Sequence, residues 1–384
     1  MLDKRHLIIF IGGAIGPLGG NAVITILTQL ERTYDVDVSV AALSVPFFML
    51  PFAIFQLFSG PISDLYDRNK TVIAGFLLYA LGSLFAAFAP NIELFLAMRV
   101  VQGLGFALIS PVSVAILGDI TPFESRGMAM GWFGTAITFG IAVGPLLGGF
   151  LAHIWRWAFI LFSILSLIIG ALFWVIFRKQ KYDIKKGTFS DIVPQLKFGF
   201  SNKNVILLSL TGFFVFFSYM GVITFLTNAL NQEPFKMNEA LVGIIIASSG
   251  FAGIFASPFA GLAVDKVGRL RTAMVGMIIS MAALLFLTLS NSLMTFIILF
   301  IFLGCGNAII WAALITLSVE VLPPYARGTS SSIFNFSRFF GYAMAPIMLA
   351  WLFTSYGIIP LFIIGGFFIL ACIPIINLIK LKNN

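Results

Sequence analysis

The sequence predicts an all-α integral membrane protein with twelve transmembrane helices, and three features carry that prediction. Of the 384 residues, 60% are hydrophobic and 10% charged, with a mean hydropathy of +1.05; a soluble globular chain has about a quarter of its residues charged. The apolar residues fall in unbroken runs of roughly twenty, which cross a hydrocarbon core as helices that satisfy their own backbone hydrogen bonds, whereas a closed barrel shows short alternating segments. The second six runs also repeat the first.

The runs lie at 7–30, 40–63, 71–89, 93–118, 127–151, 156–177, 204–229, 240–263, 272–290, 293–319, 328–353 and 357–379. Lys4 and Arg5 give the first run the flank of a secretory signal, but it is too long and lacks an Ala-x-Ala cleavage pattern, so it counts as span 1. Cys305 and Cys372 fall inside spans, which points to small packing residues rather than a disulfide framework or a metal site.

Basic residues set the expected orientation. With both termini cytoplasmic, only Arg32, Arg156 and Lys236 lie outside, and Arg99 and Arg338 lie within spans. That leaves eighteen of the 23 basic residues inside. The net charge of +8 is then a membrane-orienting charge facing anionic headgroups, with no nucleic-acid partner implied. The longest connection, 178–203, carries RKQKYDIKK and is expected to link a six-helix bundle over 1–177 to a second over 204–384.

A constant offset of 201 relates the halves. Gly60, Asp64 and Arg68 map to Gly261, Asp265 and Arg269, and Gly103 and Gly105 to Gly304 and Gly306. Asp119, Pro122, Arg126 and Gly127 map to Glu320, Pro323, Arg327 and Gly328, while Gly140 and Pro145 map to Gly341 and Pro346. Parallel six-helix repeats about an axis normal to the membrane are a transporter plan, which puts the substrate path between the halves.

The loop after span 2 reads GPISDLYDRNK and its repeat after span 8 reads GLAVDKVGRLR. Both resemble the G-x-L-A-D-R-x-G-R-R/K signature of the major facilitator superfamily, and the resemblance runs over essentially the whole chain. It implies a fold of two pseudo-symmetric six-helix bundles that work by alternating access. The first copy departs from the pattern at Leu65, in place of a basic residue, and at Asp67, in place of a glycine suited to a left-handed turn.

The charges here have two readings: an ionic latch, or solvated loop charge. Their recurrence at one offset favours the latch. In it Asp64 faces the positive N-terminus of span 11, and Arg68 pairs with Asp119 or Glu124, with Arg126, Asp265, Arg269, Glu320 and Arg327 completing a cytoplasmic gate that closes in the outward-facing state.

Span 4 carries RVVQGLG, with Arg99, Gln102, Gly103 and Gly105, and resembles the family's R-x-x-Q-G signature. An arginine within a span is directed at a cavity or a partner, or else snorkels to the interface. In span 5, GIAVGPLLGG fits the G-x-x-x-G-P-x-x-G-G signature at Gly140, Gly144, Pro145, Gly148 and Gly149. Proline removes a backbone donor and bends the helix, and glycines four apart offer a flat packing face. The residues predict a packed hinge, and family likeness makes span 8 the expected neighbour. The signature resembles that of the drug/proton antiporter exporters; ordinary small-residue packing explains the glycines but not the full pattern.

Exporters of that type carry a membrane-embedded carboxylate that exchanges protons. Here every acid falls in a loop or at a helix end, and Asn21 stands near the position where span 1 would hold one. Proton coupling therefore has no intramembrane carboxylate assigned to it. His6 and His153 sit at span edges, as expected of interfacial residues.

Two deep arginines without a deep acid make the middle of the domain cationic. Either an anionic or zwitterionic substrate neutralises Arg338 or Arg99, or asparagine, glutamine, serine, backbone carbonyl groups and water solvate them. Polar and aromatic residues on spans 1, 4, 7, 10 and 11 supply the remaining cavity candidates: Asn21, Thr25, Gln102, Tyr219, Thr224, Asn228, Asn307, Trp311, Asn335 and Tyr342. Each has helix–helix hydrogen bonding or packing as its ordinary role. The 43 phenylalanines do not by themselves mark a pocket.

The leading functional expectation is a plasma-membrane exporter of an amphiphilic drug or metabolite, working as a monomer with a small-molecule substrate, the lipid bilayer as its surroundings and no cofactor. An exchanger or facilitator of an anionic metabolite comes second, and a non-transporting receptor third. No enzyme is implied, since the chain has no G-x-x-x-x-G-K-S/T phosphate loop, no H-E-x-x-H zinc motif and no nucleophile beside a paired base.

Overall fold

The computed structural model describes residues 3–58, 67–122, 125–180, 192–323 and 326–380. Gly60, Asp64 and Glu124 lie outside the described residues. Twelve helices among the described residues are long and apolar enough to span a membrane: α1 (Lys4–Thr25), α2 (Val38–Gln56), α3 (Arg68–Ala87), α4 (Ile92–Ile120), α5 (Arg126–Phe150), α6 (Ala152–Phe177), α7 (Lys203–Asn231), α8 (Glu239–Val267), α9 (Arg269–Leu287), α10 (Leu293–Glu320), α11 (Arg327–Tyr356) and α12 (Ile359–Asn377).

Short polar residues begin many of them. The side chains of Asp67, Asn91, Asn202, Asn238 and Ser292 accept hydrogen bonds from backbone N–H groups of the first turns of α3, α4, α7, α8 and α10. Asp67 thereby explains one departure from the loop signature. Its counterpart Gly268 takes φ +95°, a conformation that favours glycine, whereas Asp67 sits at φ −60° and caps its helix with a carboxylate.

Two boundaries differ from the sequence expectation. The first run, expected over 7–30, breaks after Thr25, where Ile26 leaves the helix with an N–H bond to the Val23 carbonyl; a second short helix, Leu27–Tyr34, carries the chain on. The second run, expected to reach 63, ends as a helix at Gln56, and residues 59–66 lie outside the described set.

α1 to α6 pack among themselves, mainly through α1 on α5, α4 on α2 and α3, and α3 on α6; α7 to α12 repeat this with α7 on α11 and α12, and α10 on α8 and α9. The packing keeps the offset of 201 down to single atoms. A Cβ added at Gly75 would fall 2.8 Å from both the Gly105 carbonyl oxygen and Ile109 Cγ1; one added at Gly276 would fall 2.8 Å from both the Gly306 carbonyl oxygen and Ile310 Cγ1. Gly103 abuts the Phe48 carbonyl just as Gly304 abuts the Ser249 carbonyl. Where lipid removes the hydrophobic drive between helices, such small-residue contacts let backbones close on one another.

The two lobes meet along α5–α8 and α2–α11. Helices alternate in direction, so α1 ends, and α8 begins, at the face remote from the termini. At that far face the lobes are joined: Gln29 Nε2 donates to Glu239 Oε1 at 2.8 Å, Thr227 Oγ1 to the Ile24 carbonyl at 3.2 Å, and Asn228 Nδ2 to Glu31. Toward the terminal face, α2 and α11 stay in contact, with Phe52 and Phe339 at a ring separation of 4.5 Å. There Gly127, Gly131 and Gly134 on α5 and Gly261 on α8 have no atom of another described residue within 4 Å of an added Cβ.

Candidate functional site

A cavity of about 530 Å³ lies between the lobes. Lobe 1 lines it with Asn21 of α1, Phe48, Phe52 and Gln56 of α2, Phe106 and Ser110 of α4, and Phe133 and Ile137 of α5. Lobe 2 contributes Trp311 and Ile315 of α10 and, from α11, Gly328, Ser331, Asn335, Arg338 and Tyr342. The α11 residues recur every three or four positions, so the helix presents one polar stripe to the cavity. That stripe is where sequence reasoning had a signal to find Ser331, which it missed.

Arg338 is the distinctive group. Its guanidinium carbon lies 4.1 Å from the centroid of the Trp311 ring and 4.0 Å from that of Phe339, with Phe216 at 5.2 Å. No hydrogen bond or ion pair joins it to a described residue, and its Nε is buried without a partner. Placing an arginine within a span costs roughly 2.5–3.5 kcal/mol on insertion scales. Cation–π contacts return about 0.5–2 kcal/mol each, so aromatic cover holds the charge while its N–H donors stay uncommitted.

Arg99, the other intramembrane arginine, has the opposite environment. Fully buried in lobe 1 and absent from the cavity lining, it donates from Nε to the Ser44 carbonyl (3.0 Å), from one terminal nitrogen to Gln102 Oε1 (2.8 Å) and the Gly19 carbonyl (3.4 Å), and from the other to the Gly20 carbonyl (3.3 Å). Gln102 passes the network on to Ser83 Oγ at 2.7 Å. This arginine ties α1, α2 and α4 together.

The other cavity candidates separate in the same way. Asn21, Trp311, Asn335 and Tyr342 line the cavity. Thr25 is buried against α5, donating to the Pro145 carbonyl at 3.0 Å, and Thr224 bonds back to the Met220 carbonyl. Tyr219 bonds to Ser249 at 2.9 Å, and Asn307 keeps a buried Oδ1 without a partner away from the cavity lining. Asn228 belongs to the far-face junction.

The α5 signature packs on two helices, the expected α8 and also α1. Added Cβ atoms at Gly140, Gly144 and Gly148 would fall 2.5, 2.5 and 2.2 Å from the carbonyl oxygens of Ala14, Leu18 and Ala22, so the row faces α1 in its own lobe. α8 meets the neighbouring surface of α5, with Gly243 on the Pro145 carbonyl, Gly250 on Ala142 and Gly149 on the Glu239 carbonyl. One helix thus makes a tight contact inside its lobe and another across the junction.

At the terminal face, Arg68 pairs with Asp119 across the start of α3 and the end of α4, and Arg269 pairs with Glu320 at 2.6 Å across α9 and α10. Arg126 Nε donates to the Gly118 carbonyl at 2.9 Å. These bonds each stay within one lobe. Asp265 lies exposed near Arg269, and Arg327 begins α11 on the surface.

A larger concavity, about 850 Å³, lies between α8 and α10 and is lined almost wholly by apolar groups such as Phe251, Phe255, Phe259 and Ile301. In a bilayer such a groove gains nothing from hydrophobic burial, because lipid chains are as apolar as its walls. The central cavity, with convergent polar groups in an apolar shell, has the makings of a ligand site.

A twelve-helix bundle of two repeated lobes around a central cavity is the architecture of a membrane transporter. The sequence description of the Major Facilitator Superfamily matches residues 9–238 and 208–382, and the chain belongs to that family. It is therefore a multi-pass membrane transporter and not an enzyme. It is similar to the bacillibactin exporter of Bacillus subtilis (28% identity, covering 91% of this chain and 90% of the relative). It is also similar to a multidrug resistance protein B homolog of Mycobacterium tuberculosis (25% identity, covering 68% and 59%). Among solved structures, a bacterial homolog of the human lysosomal transporter Spinster, in an inward-facing and occupied conformation, shares the fold, with a TM-score of 0.77 at 17% identity over 97% of this chain and 95% of that one.

Proposed function

We propose that this protein exports a small amphiphilic molecule across the cytoplasmic membrane in exchange for protons, with its two six-helix lobes rocking about the central cavity. The observation that carries this reading is the cavity itself: an apolar, aromatic chamber bounded by both lobes, beneath a far-face junction made of a few hydrogen bonds. Bonds worth about 0.5–1.5 kcal/mol each are weak enough to be exchanged in a conformational cycle. The excess of basic residues at the terminal face supports its assignment as the cytoplasmic side. The likeness to an exporter and to a multidrug resistance homolog supports the outward direction of transport. In the proposed cycle the protein works as a monomer without a cofactor.

The test is flux in proteoliposomes under imposed pH gradients, comparing a lipophilic cation, a neutral amphiphile and an organic anion. Gradient-driven movement of at least one of them, lost in Gly144→Leu, is the expected result. Absence of flux for all three from correctly folded protein overturns the proposal.

A further inference from the structure

We propose that the central cavity selects amphipathic anions: a carboxylate or sulfonate on a compact apolar body, with Arg338 as the residue that binds the anionic oxygens. This rests on the transport reading above for its role in a cycle, while the binding itself stands on the geometry of the cavity.

The contrast between the two intramembrane arginines is the starting point. Arg99 has acceptors from three backbone carbonyls and one glutamine, so this fold satisfies a guanidinium fully where the side chain is a structural tie. Arg338 has none, and its buried Nε is left without an acceptor. No aspartate or glutamate stands among the described cavity-lining residues to balance it. A buried donor without a partner is costly, and one that faces a ligand chamber becomes satisfied when the ligand brings the acceptor.

The rings restrict which acceptor fits. With Trp311 and Phe339 lying against the guanidinium, its remaining recognition capacity is in the N–H donors at the edge of the plane. Those donors match the paired oxygens of a carboxylate or sulfonate. One turn away on either side, Asn335 and Tyr342 line the same wall and add neutral polar groups. Opposite them, Phe48, Phe52, Phe106 and Phe133 form an aromatic wall suited to the apolar body. A cationic amphiphile would meet an uncompensated positive charge in this chamber.

The test uses full-length protein in nanodiscs and equilibrium binding of a naphthalene series that differs only in its head group: naphthoate, naphthalene sulfonate, naphthamide and naphthylmethylammonium. The two anions are expected to bind wild type at least about tenfold more tightly than the amide. Arg338→Gln should abolish that preference by weakening anion binding more than amide binding, and Arg338→Lys should restore part of it by returning the charge without the planar fork. Nanodiscs with and without anionic lipid distinguish a soluble anion from a lipid headgroup, and displacement of naphthoate by the lipid also supports an anion site. Equal or tighter binding of the amide or the ammonium, equal loss of anion and amide in Arg338→Gln, or no binding of either anion overturns the proposal. The wild-type comparison decides it even if neither variant folds. Anion binding without flux would sink the transport reading alone, whereas flux without anion preference would sink this one alone.

Discussion

Asn228 of α7 donates its side-chain amide to a carboxylate oxygen of Glu31, and the bond crosses from lobe 2 to lobe 1 at the face remote from the termini. A second bond crosses in the reverse sense, from Gln29 of lobe 1 to Glu239 of lobe 2 at 2.8 Å. Each lobe thus offers one carboxylate and one amide. Asn228 Oδ1 is buried without a donor, and a protonated Glu31 carries one.

This junction predicts a pH response. Burial raises the Glu31 carboxyl above its ordinary range and nearby Asp37 adds to that, against the lowering effects of the Asn228 bond and Arg32. Opening the junction rehydrates Glu31 and returns it toward the ordinary value of about 4.3. The closed junction therefore holds the proton more tightly. Its contribution to closure is complete below the ordinary carboxylate pKa and is lost as pH rises through the raised value. Acidification is expected to shorten spin-label distances between the far ends of the lobes. Glu31→Gln should fix them at the short value and flatten the pH dependence; a variant as pH-sensitive as wild type would remove Glu31 from the response.

The α1–α5 seam predicts sharp steric discrimination between glycines of the same helix. Gly140, Gly144 and Gly148 meet Ala14, Leu18 and Ala22 with the same four-residue spacing on both helices, and the atoms a methyl would strike are backbone carbonyl oxygens that have little freedom to move. Gly144→Ala is expected to destabilise the purified protein by about 1–3 kcal/mol. Gly144→Leu should insert into the membrane but support no flux. Gly131→Ala, with no other described residue within 4 Å of the added methyl, should be neutral or stabilising by up to about 1 kcal/mol. Thermal unfolding in detergent checks the ordering, and equal losses at Gly131 and Gly144 would contradict it.

Much of this architecture is legible in the sequence because a bilayer imposes length and apolarity on each span, and because the two lobes repeat at one offset. Helix starts at Arg68 and Arg269, or Arg126 and Arg327, keep that offset. The site is less legible. Arg99 and Arg338 both sit within hydrophobic spans, and only the neighbours of each helix face separate a tie buried in one lobe from a cation at the chamber wall. Phe48, Phe52 and Phe106 line the cavity, yet in sequence they are indistinguishable from phenylalanines that face lipid. The glycines of α5 are legible as a packing face, and Gly149 meets the expected α8, but Gly140, Gly144 and Gly148 meet α1, since spacing defines a surface without naming what covers it. Glu31 and Glu239 read as end-of-helix charges until the far face brings each to an amide of the other lobe.

The environment of Arg99 predicts a stability effect separate from recognition. Arg99→Lys keeps the charge but cannot reach the Ser44, Gly19 and Gly20 carbonyls and Gln102 together. Each partner left buried and unsatisfied costs about 1–3 kcal/mol. The unfolding temperature should fall well below wild type, while folded protein retains the head-group preference of the cavity. Loss of that preference at unchanged stability would place Arg99 in the site instead.

The ion pairs at the terminal face predict a small, lobe-local coupling. Arg269 and Glu320 are about a third exposed, with side-chain accessibilities of 37% and 30%, and they join α9 to α10 within lobe 2, as Arg68 and Asp119 join α3 to α4 within lobe 1. The pairing of Arg68 with Asp119 expected from the sequence is present, and it and its repeat Arg269–Glu320 brace helix ends inside each lobe. Solvent screening limits such a pair to about 0–1 kcal/mol. A double-mutant cycle with Arg269→Gln and Glu320→Gln should return a coupling energy in that range from thermal unfolding. Spin-label distances between the lobes should stay at the wild-type values in both single variants, because no inter-lobe bond is broken. A change in those distances as large as that produced by opening the far face would instead give Arg269 and Glu320 a direct part in holding the lobes together.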